Sequence, residues 1–441
     1  MTDDLMGKIV SFCKRRGFIF PSSEIYGGFE SSYDYGPLGV ELKNNIKRAW
    51  WKTMVQKNEK IVGLDAAILM NPKVWEASGH LSAGFADELV ECKNCHKRFK
   101  TTEVGKKCPE CGGDFLPSRK FNLMMKTYIG PIEDETAVTY LRAETCQGIY
   151  MNFKNILNTY RQKIPFGIAQ IGKAFRNEIT PSNFIFRTRE FEQMEMQWFV
   201  RPSEAEKWYE FWKKERLNWY LSLGIKKENI KLREHKKEEL AHYAIAGCDL
   251  IYKFPFGWQE IEGIHNRGDW DLSHHAKYSG QDLSYFDPET KEKYIPYIIE
   301  TSGGVDRALL TFLIDAYEEI KGGRTTTTKP TKEVEIVLKL HQDLAPIKIA
   351  VFPLVKKEPL IKLAQEIYQD LKKYFIIEYD ENDSIGRRYR RHDEIGTPYC
   401  LTVDFQSLED KKVTVRDRDS MKQERIEIKK LREYFRDIFE L

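Results

Sequence analysis

The chain has 441 residues, 41% of them hydrophobic and 13% aromatic, with 70 Lys and Arg against 67 Asp and Glu. That much apolar material excludes a disordered polymer and predicts two or three folded domains. No apolar run approaches ~18 residues, which predicts no membrane helix. The start, Met1-Thr2-Asp3-Asp4, lacks a basic-then-apolar signal, so a cytoplasmic location is expected. A net charge of +3 does not announce a nucleic-acid partner. Residues 346–441 carry 20 Lys and Arg against 19 Asp and Glu, so any RNA contact would rest on local patches.

In chain order, residues 5–16 show helical apolar spacing and stop before Gly17. Gly27-Gly28, Gly36-Pro37 and Gly39 punctuate a loop. Leu42, Ile46, Ala49, Trp50 and Met54 predict a helix over 40–56. Residues 61–62 and 66–70 read as strand, closed by Pro72. The stretch 87–120 is polar and bears Cys and Gly, like an insert between larger elements. Residues 166–175 and 191–200 read as an antiparallel hairpin, with the polar loop Thr180-Pro181-Ser182-Asn183 between them. A Trp- and Tyr-rich helix is predicted over 204–223. Then come a strand at 295–301, a glycine turn at 302–304 and a helix at 305–317. The Gly, Thr and Lys stretch 321–330 reads as a mobile loop or linker. Beyond Ala345-Pro346, strands at 348–353, 376–379, 399–405 and 412–416 alternate with helices at 358–374 and 387–394, the mark of a small α/β domain.

Two stretches carry chemistry. Phe175-Arg176-Asn177-Glu178, then Phe186-Arg187-Thr188-Arg189-Glu190-Phe191, set three arginines, acids and an aromatic on one hairpin. Arginine clamps phosphate bidentately, an aromatic stacks on a base, and an acid reads a base edge. A solvated charged hairpin fits the same spacing. Glu300-Thr301-Ser302-Gly303-Gly304-Val305-Asp306-Arg307 brings an acid, glycines and an arginine to a helix start, a place favourable for anions. An ordinary strand–turn–helix has the same letters. Neither a Walker lysine motif nor GxGxxG after a strand is present, so a P-loop or Rossmann site is not supported.

The cysteines form two pairs, Cys92/Cys95 and Cys108/Cys111, spaced C-x2-C-x12-C-x2-C. Four thiolates suit tetrahedral Zn²⁺ and leave no open position, so a structural site is expected. His96 reads as a bystander, and Cys13, Cys248 and Cys400 as core or neutral positions.

These two segments resemble motifs 2 and 3 of class II aminoacyl-tRNA synthetases, and 40–72 is similar to motif 1. Leu141-Arg142-Ala143-Glu144-Thr145-Cys146-Gln147-Gly148 resembles a segment of the glycyl-tRNA synthetases, with Ala143 and Cys146 in place of proline and alanine. Phe186–Phe191 continued by Glu192-Gln193-Met194-Glu195 resembles it too. So do Tyr33-Asp34-Tyr35-Gly36-Pro37-Leu38-Gly39, Phe121-Asn122-Leu123-Met124 and residues 386–398. Glu262 and His265 stand where that family is expected to hold an apolar or aromatic residue and alanine.

The resemblance implies an α+β fold: a class II antiparallel sheet flanked by helices, a small zinc-ribbon-like insert and a C-terminal α/β anticodon-binding domain. It implies a catalytic domain over 1–335, with the insert at 88–120, and an anticodon-binding domain over 336–441. ATP and Mg²⁺ would serve a reaction between glycine and tRNA-Gly on a homodimer. Arg176 and Arg307 would be catalytic: Arg176 at the α-phosphate, Arg307 with Arg187 at the γ-phosphate. Glu178 would read adenine, Phe191 stack under it, and Glu260 help hold Mg²⁺. Asn177, Phe186, Thr188, Arg189, Glu190, Ile261, Gly304, Val305 and Asp306 complete the expected ATP site. Around glycine the resemblance sets Glu144, Glu192, Gln193, Met194, Glu195, Glu300, Thr301, Ser302 and Gly303 with Phe191 and Gly304, and Arg98 from the insert. Two rivals remain: a synthetase for proline, threonine or histidine, against which the acid-rich 191–195 segment argues, and a synthetase-like accessory protein without aminoacylation activity, which could shed its ATP-binding arginines.

Overall fold

A computed structural model describes residues 4–82, 85–180, 182–324 and 334–439. Its frame is a seven-stranded sheet of β1 (Ile61–Gly63), β2 (Phe166–Phe175), β3 (Glu190–Val200), β4 (Ile230–Glu234), β5 (Ala246–Phe254), β6 (Gly257–Gly268) and β7 (Tyr297–Gly304), ordered β4-β5-β6-β7-β3-β2-β1. All neighbours are antiparallel except the edge pair β1 and β2. The expected 166–200 hairpin is therefore central, with Glu195 opposite Gln170 and Phe191 opposite Ala174.

The sheet is covered on both faces. One face packs on α4 (Ala205–Ser222) and α6 (Val305–Ala316), which join the helices α1 (Leu5–Arg16) and α2 (Pro37–Trp51) in the largest apolar core. Toward the β1 edge, the other face packs on α3 (Cys146–Tyr160) and α5 (Trp270–Ser279) in a second core holding Phe153, Phe166 and Phe199. The rest of that face is an open cavity.

Four local readings change. Residues 66–70 form no strand: Leu69 makes a single bridge to Leu141, and the Ala66 carbonyl accepts from the Arg142 guanidinium at 2.7 Å instead of joining a ladder. Residues 302–304 are not a turn. They continue β7, opposite Gln193, Met194 and Glu195, and the helix starts directly after Gly304. The helix predicted over 40–56 begins at Pro37, whose missing N–H is harmless in a first turn, and its last five residues are a π-helix. The β5–β6 hairpin was not read from the sequence. The loop expected at 321–330 lies outside the described residues from 325 onward, as does Pro181.

The insert is a three-stranded sheet, 98–100 beside 86–91 beside 119–122. The C-terminal unit has its own core around β8 (Ile349–Pro353), α7 (Glu358–Leu371), β9 (Ile377–Tyr379), α8 (Ile385–Ile395), β10 (Tyr399–Val403), β11 (Lys412–Asp417), β12 (Gln423–Glu427) and α9 (Leu431–Phe439). Its sheet runs β9-β8-β10-β11-β12, parallel through the first three strands and antiparallel beyond.

Candidate functional site

Successive strand side chains point to opposite faces, and three neighbouring strands thereby aim one alternate set into a cavity of about 280 Å³. β3 contributes Phe191, Gln193 and Glu195; β7 contributes Glu300, Ser302 and Gly304; β6 contributes Gly263, His265 and Arg267. The register puts Ser302 between Glu195 and Gly263, and Glu300 beside His265. A bulge in β6 adds Glu260 to the same face: Leu250 pairs with Glu262 but Ile251 with Glu260, so Ile261 is the extra residue.

The inner end is dense in charge. Arg267 donates to both Asp271 oxygens (2.7 and 2.9 Å) and to both Glu300 oxygens (3.1 and 3.2 Å). Gln197 Nε2 donates to Glu195 Oε1 (3.0 Å) and Glu300 Oε1 (3.1 Å), and the Thr145 hydroxyl donates to the other Glu195 oxygen. Burial opposes the charge on Glu300, but Arg267 and His265 outweigh it and hold its carboxyl down at about 2. Burial likewise opposes the charge on Glu144, and His80 and Arg267 hold that carboxyl well below the ordinary range. Glu195 goes the other way: burial, then the charges of Glu300 and Glu144, push it well above 4.5. With Asp271, four carboxylates crowd one arginine, and of these Glu195 is the one pushed toward its protonated form.

The outer end is open and arginine-rich. Arg176 donates to the Ala143 carbonyl (3.1 Å), with its guanidinium between the rings of Phe85 and Phe191 (5.6 and 5.5 Å). Arg307 lies 4.4 Å over Phe186 and donates to the Phe186 and Glu260 carbonyls. Two partners come from the insert: Glu103 accepts from Arg187 at 3.1 Å, and the Lys100 ammonium lies 3.4 Å from Glu178. Asp306 accepts from the Tyr35 hydroxyl, from Lys43 (2.8 Å) and from the Glu192 N–H (2.8 Å), tying the α6 start to α2.

The expected set thus divides. Glu144, Arg176, Glu178, Phe186, Arg187, Thr188, Phe191, Gln193, Glu195, Glu260, Glu300, Ser302, Gly304, Asp306 and Arg307 line the cavity. Others do not, because the period of two turns them away. Glu192 faces α2, within 3.3 Å of Lys43 and 3.1 Å of Lys47, while Met194, Thr301 and Val305 are wholly buried on the helix side. A side chain at Gly303 would point at Glu262, and Ile261 sits in the core. Arg189 donates to the Glu178 carbonyl and Glu190 is exposed beside Lys173, so both brace the loop. Asn177 meets Leu123 through its backbone. Arg98 is exposed and paired with Glu91 at 3.0 Å, away from the cavity. Tyr243, His265 and Arg267 were missed. The alternation of Gly263, His265 and Arg267 along a run rich in Gly and Ile was the available signal. Glu262 proves unrelated to the cavity: it is buried against Arg216 of α4, at 2.5 and 3.1 Å.

In the insert, Cys92, Cys95, Cys108 and Cys111 bring their sulfurs within 4.8 Å of one another, with Cys92 and Cys111 at 3.5 Å and Cys95 and Cys108 at 3.7 Å. A tetrahedron with metal–sulfur bonds of about 2.3 Å has edges of about 3.8 Å, so the set fits Zn²⁺. Backbone N–H groups of Cys95 and Asn94 help pull the Cys92 thiol down to about 6, toward the thiolate a metal takes.

Residues 129–317 match the tRNA synthetase class II core domain (G, H, P, S and T), and 348–438 match an anticodon binding domain. Among curated proteins, a glycine–tRNA ligase of Treponema denticola is 55% identical over 96% of this chain and 94% of its own length. One of Acetivibrio thermocellus is 55% identical over 99% and 98%, and one of Geobacillus kaustophilus 53% identical over 98% of both. Among solved structures, a prolyl-tRNA synthetase of Cryptosporidium parvum superposes with a TM-score of 0.66 over 99% of this chain and 78% of its own, at 16% identity, a likeness of fold alone.

Proposed function

The chain belongs to the glycine–tRNA ligase family of class II aminoacyl-tRNA synthetases, and from that premise we propose how its residues divide the work. It is a ligase that uses ATP to join glycine to tRNA. The observation that carries the division of labour is one cavity with two chemistries: half-buried arginines and an aromatic at its mouth, paired carboxylates at its base.

Glycine enters with its ammonium toward Glu144, Glu195 and Glu300. The proton on Glu195 becomes redundant there and is released, since the ammonium supplies the missing positive charge. A methyl group adds only about 1–3 kcal/mol of binding, so glycine is selected by crowding the space a side chain would need. Phe191 stacks on adenine and Glu178 reads its amino group, once Lys100 yields. Arg187 and Arg307 hold the γ-phosphate. A carboxylate oxygen of glycine attacks the α-phosphorus, the bond to the bridging oxygen breaks, and pyrophosphate leaves. Arg176 neutralises the charge that grows on the five-coordinate phosphorus. A ribose hydroxyl of the terminal tRNA adenosine then attacks the glycyl carbonyl, and AMP leaves with the bonding pair. The protein supplies no nucleophile, only positioning and charge.

Glu260, a half-exposed carboxylate at the mouth, is the hard oxygen donor suited to Mg²⁺. That ion would neutralise phosphate charge. The four cysteines would hold one structural Zn²⁺. We assign the catalytic domain to 1–335, with the insert at 88–120, and the anticodon-binding domain to 336–441. The working state is taken as a cytoplasmic homodimer paired through the motif 1 segment; no helix among the described residues is long and apolar enough to cross a membrane.

Amino-acid-dependent exchange of pyrophosphate into ATP tests the reading. Glycine should support exchange, and alanine and proline should not. No exchange with any amino acid would leave a binding protein, and better exchange with alanine or proline would overturn the pocket assignment.

A further inference from the structure

Beside the cavity, and sharing His265 with its wall, lies a second cluster whose His235 and Asp249 have no part in the reaction. His235 follows the end of β4, and its N–H donates to the Gly247 carbonyl on β5 (2.8 Å). His265 on β6 stands opposite the same Gly247. With no side chain between them, the two imidazoles meet over that glycine, ring centres 5.6 Å apart. A Cβ at Gly247 would come within 2.8 Å of His235 Nδ1 and 3.0 Å of His265 Cδ2, and one at Gly263 within 2.8 Å of His265 Cε1. The two glycines are what make room for the rings. Asp249, two residues along β5 on the same face and 95% buried, brings Oδ1 to 2.8 Å from His235 Nε2.

We propose that His235, Asp249 and His265 form a second metal site, distinct from the cysteine set, that takes a divalent first-row transition ion such as Zn²⁺. Their ligand atoms lie within 4.8 Å of one another. Two imidazoles and a carboxylate are the donors such ions favour, with water completing the set. The orientation of the groups supports ligation over simple pairing. Both His235 nitrogens are shielded from water, yet neither makes a hydrogen bond, although Nε2 is at contact distance from Asp249. Two lone pairs aimed at a common point give that geometry. His265 is also prepared: its Nδ1 pairs with Glu300 Oε2 at 3.1 Å. A metal-bound histidine characteristically gives its other N–H to a carboxylate, which fixes the tautomer and leaves Nε2 for the ion. Asp249 Oδ2 is oriented in the same way by Arg233 at 2.7 Å. Glu300 thus links this site to the base of the glycine pocket.

Co²⁺ is the probe, titrated into protein whose four cysteines already carry Zn²⁺. We expect one further ion per chain, with ligand-field absorption and no thiolate charge-transfer band. His235→Gln and Asp249→Asn should each abolish that second equivalent. The urea unfolding midpoint and retention of the cysteine-bound Zn²⁺ serve as the folding check, and two substitutions are used so that failure of one to fold leaves the other. No second ion overturns the proposal and leaves an ordinary His–Asp contact. A second ion that survives both substitutions, or one that shows a thiolate band, overturns it equally.

Discussion

The two faces of the central sheet bury charge in opposite ways. On the helix face, Arg216 and Glu262 are each 1% exposed and form a closed pair, one charge against one. On the cavity face, Arg267 is shared by Glu300 and Asp271, Glu144 leans on His80 as well, and Glu195, which has no direct ion pair among the described residues, is pushed toward its protonated form. The first arrangement is finished. The second is short of positive charge, and a substrate ammonium is the group that supplies it. Burial alone therefore does not mark a functional site; an imbalance within the buried set does.

Breaking the closed pair should have the largest effect. Arg216→Met strands Glu262 in the core and should cost about 3–5 kcal/mol of stability in urea unfolding. A loss below about 1 kcal/mol would mean that the helix face is no better balanced than the cavity face.

On the cavity side the sign of the trade reverses. Arg176→Ala should lower the rate of pyrophosphate exchange by about 10²–10³-fold, the effect of removing one donor from developing charge, and leave the urea midpoint near that of the parent. Retained exchange would remove Arg176 from the reaction.

Glu195→Gln sharpens the imbalance itself. The folded carboxyl titrates above its unfolded value of 4.5, so the folded state holds more protons between the two values. Stability from this group is full below 4.5 and is lost as pH rises through the folded value. The Gln variant cannot lose it. Its stability relative to the parent should therefore rise with pH above about 5, in unfolding curves compared across pH 5–8. A parallel pair of curves would show Glu195 ionised already.

The smallest effect is expected from the insert. Glu103→Ala frees Arg187 from a part-exposed ion pair, 32% and 36% exposed, whose strength is about 0.2–1 kcal/mol. The KM for ATP should fall by no more than about fivefold. An increase would give Glu103 a part in holding the nucleotide.

The sequence was most legible where pattern is local. The hairpin of β2 and β3, the helix opening at Val305 and the four-cysteine spacing each follow from short-range grammar, and the structure has them. Less legible was which face each letter serves. Glu192 and Glu195 look equivalent as acids in a row, yet they lie three apart on a strand and turn to opposite sides, one to Lys43 and Lys47, the other into the cavity. Arg267 was invisible for another reason. Its importance comes from Asp271 four residues on, in the first turn of α5, and from Glu300 a strand away, and only the fold brings the second of these to it.

The bulge at Ile261 has a consequence for how this strand can change over time. Adding a residue to a strand works like a shift of reading frame: every letter downstream changes sides. Because of it, Glu260 serves the cavity while Ile261 and Glu262 serve the core, and Gly263, His265 and Arg267 fall back on the cavity side. Deleting Ile261 itself would straighten the strand and leave Glu260 on the cavity side, but deleting any other residue while the bulge stays would exchange the wet and dry sides on one side of the cut. The strand is thus free to drift in spelling, and the bulge is the one place where it can change length without changing sides.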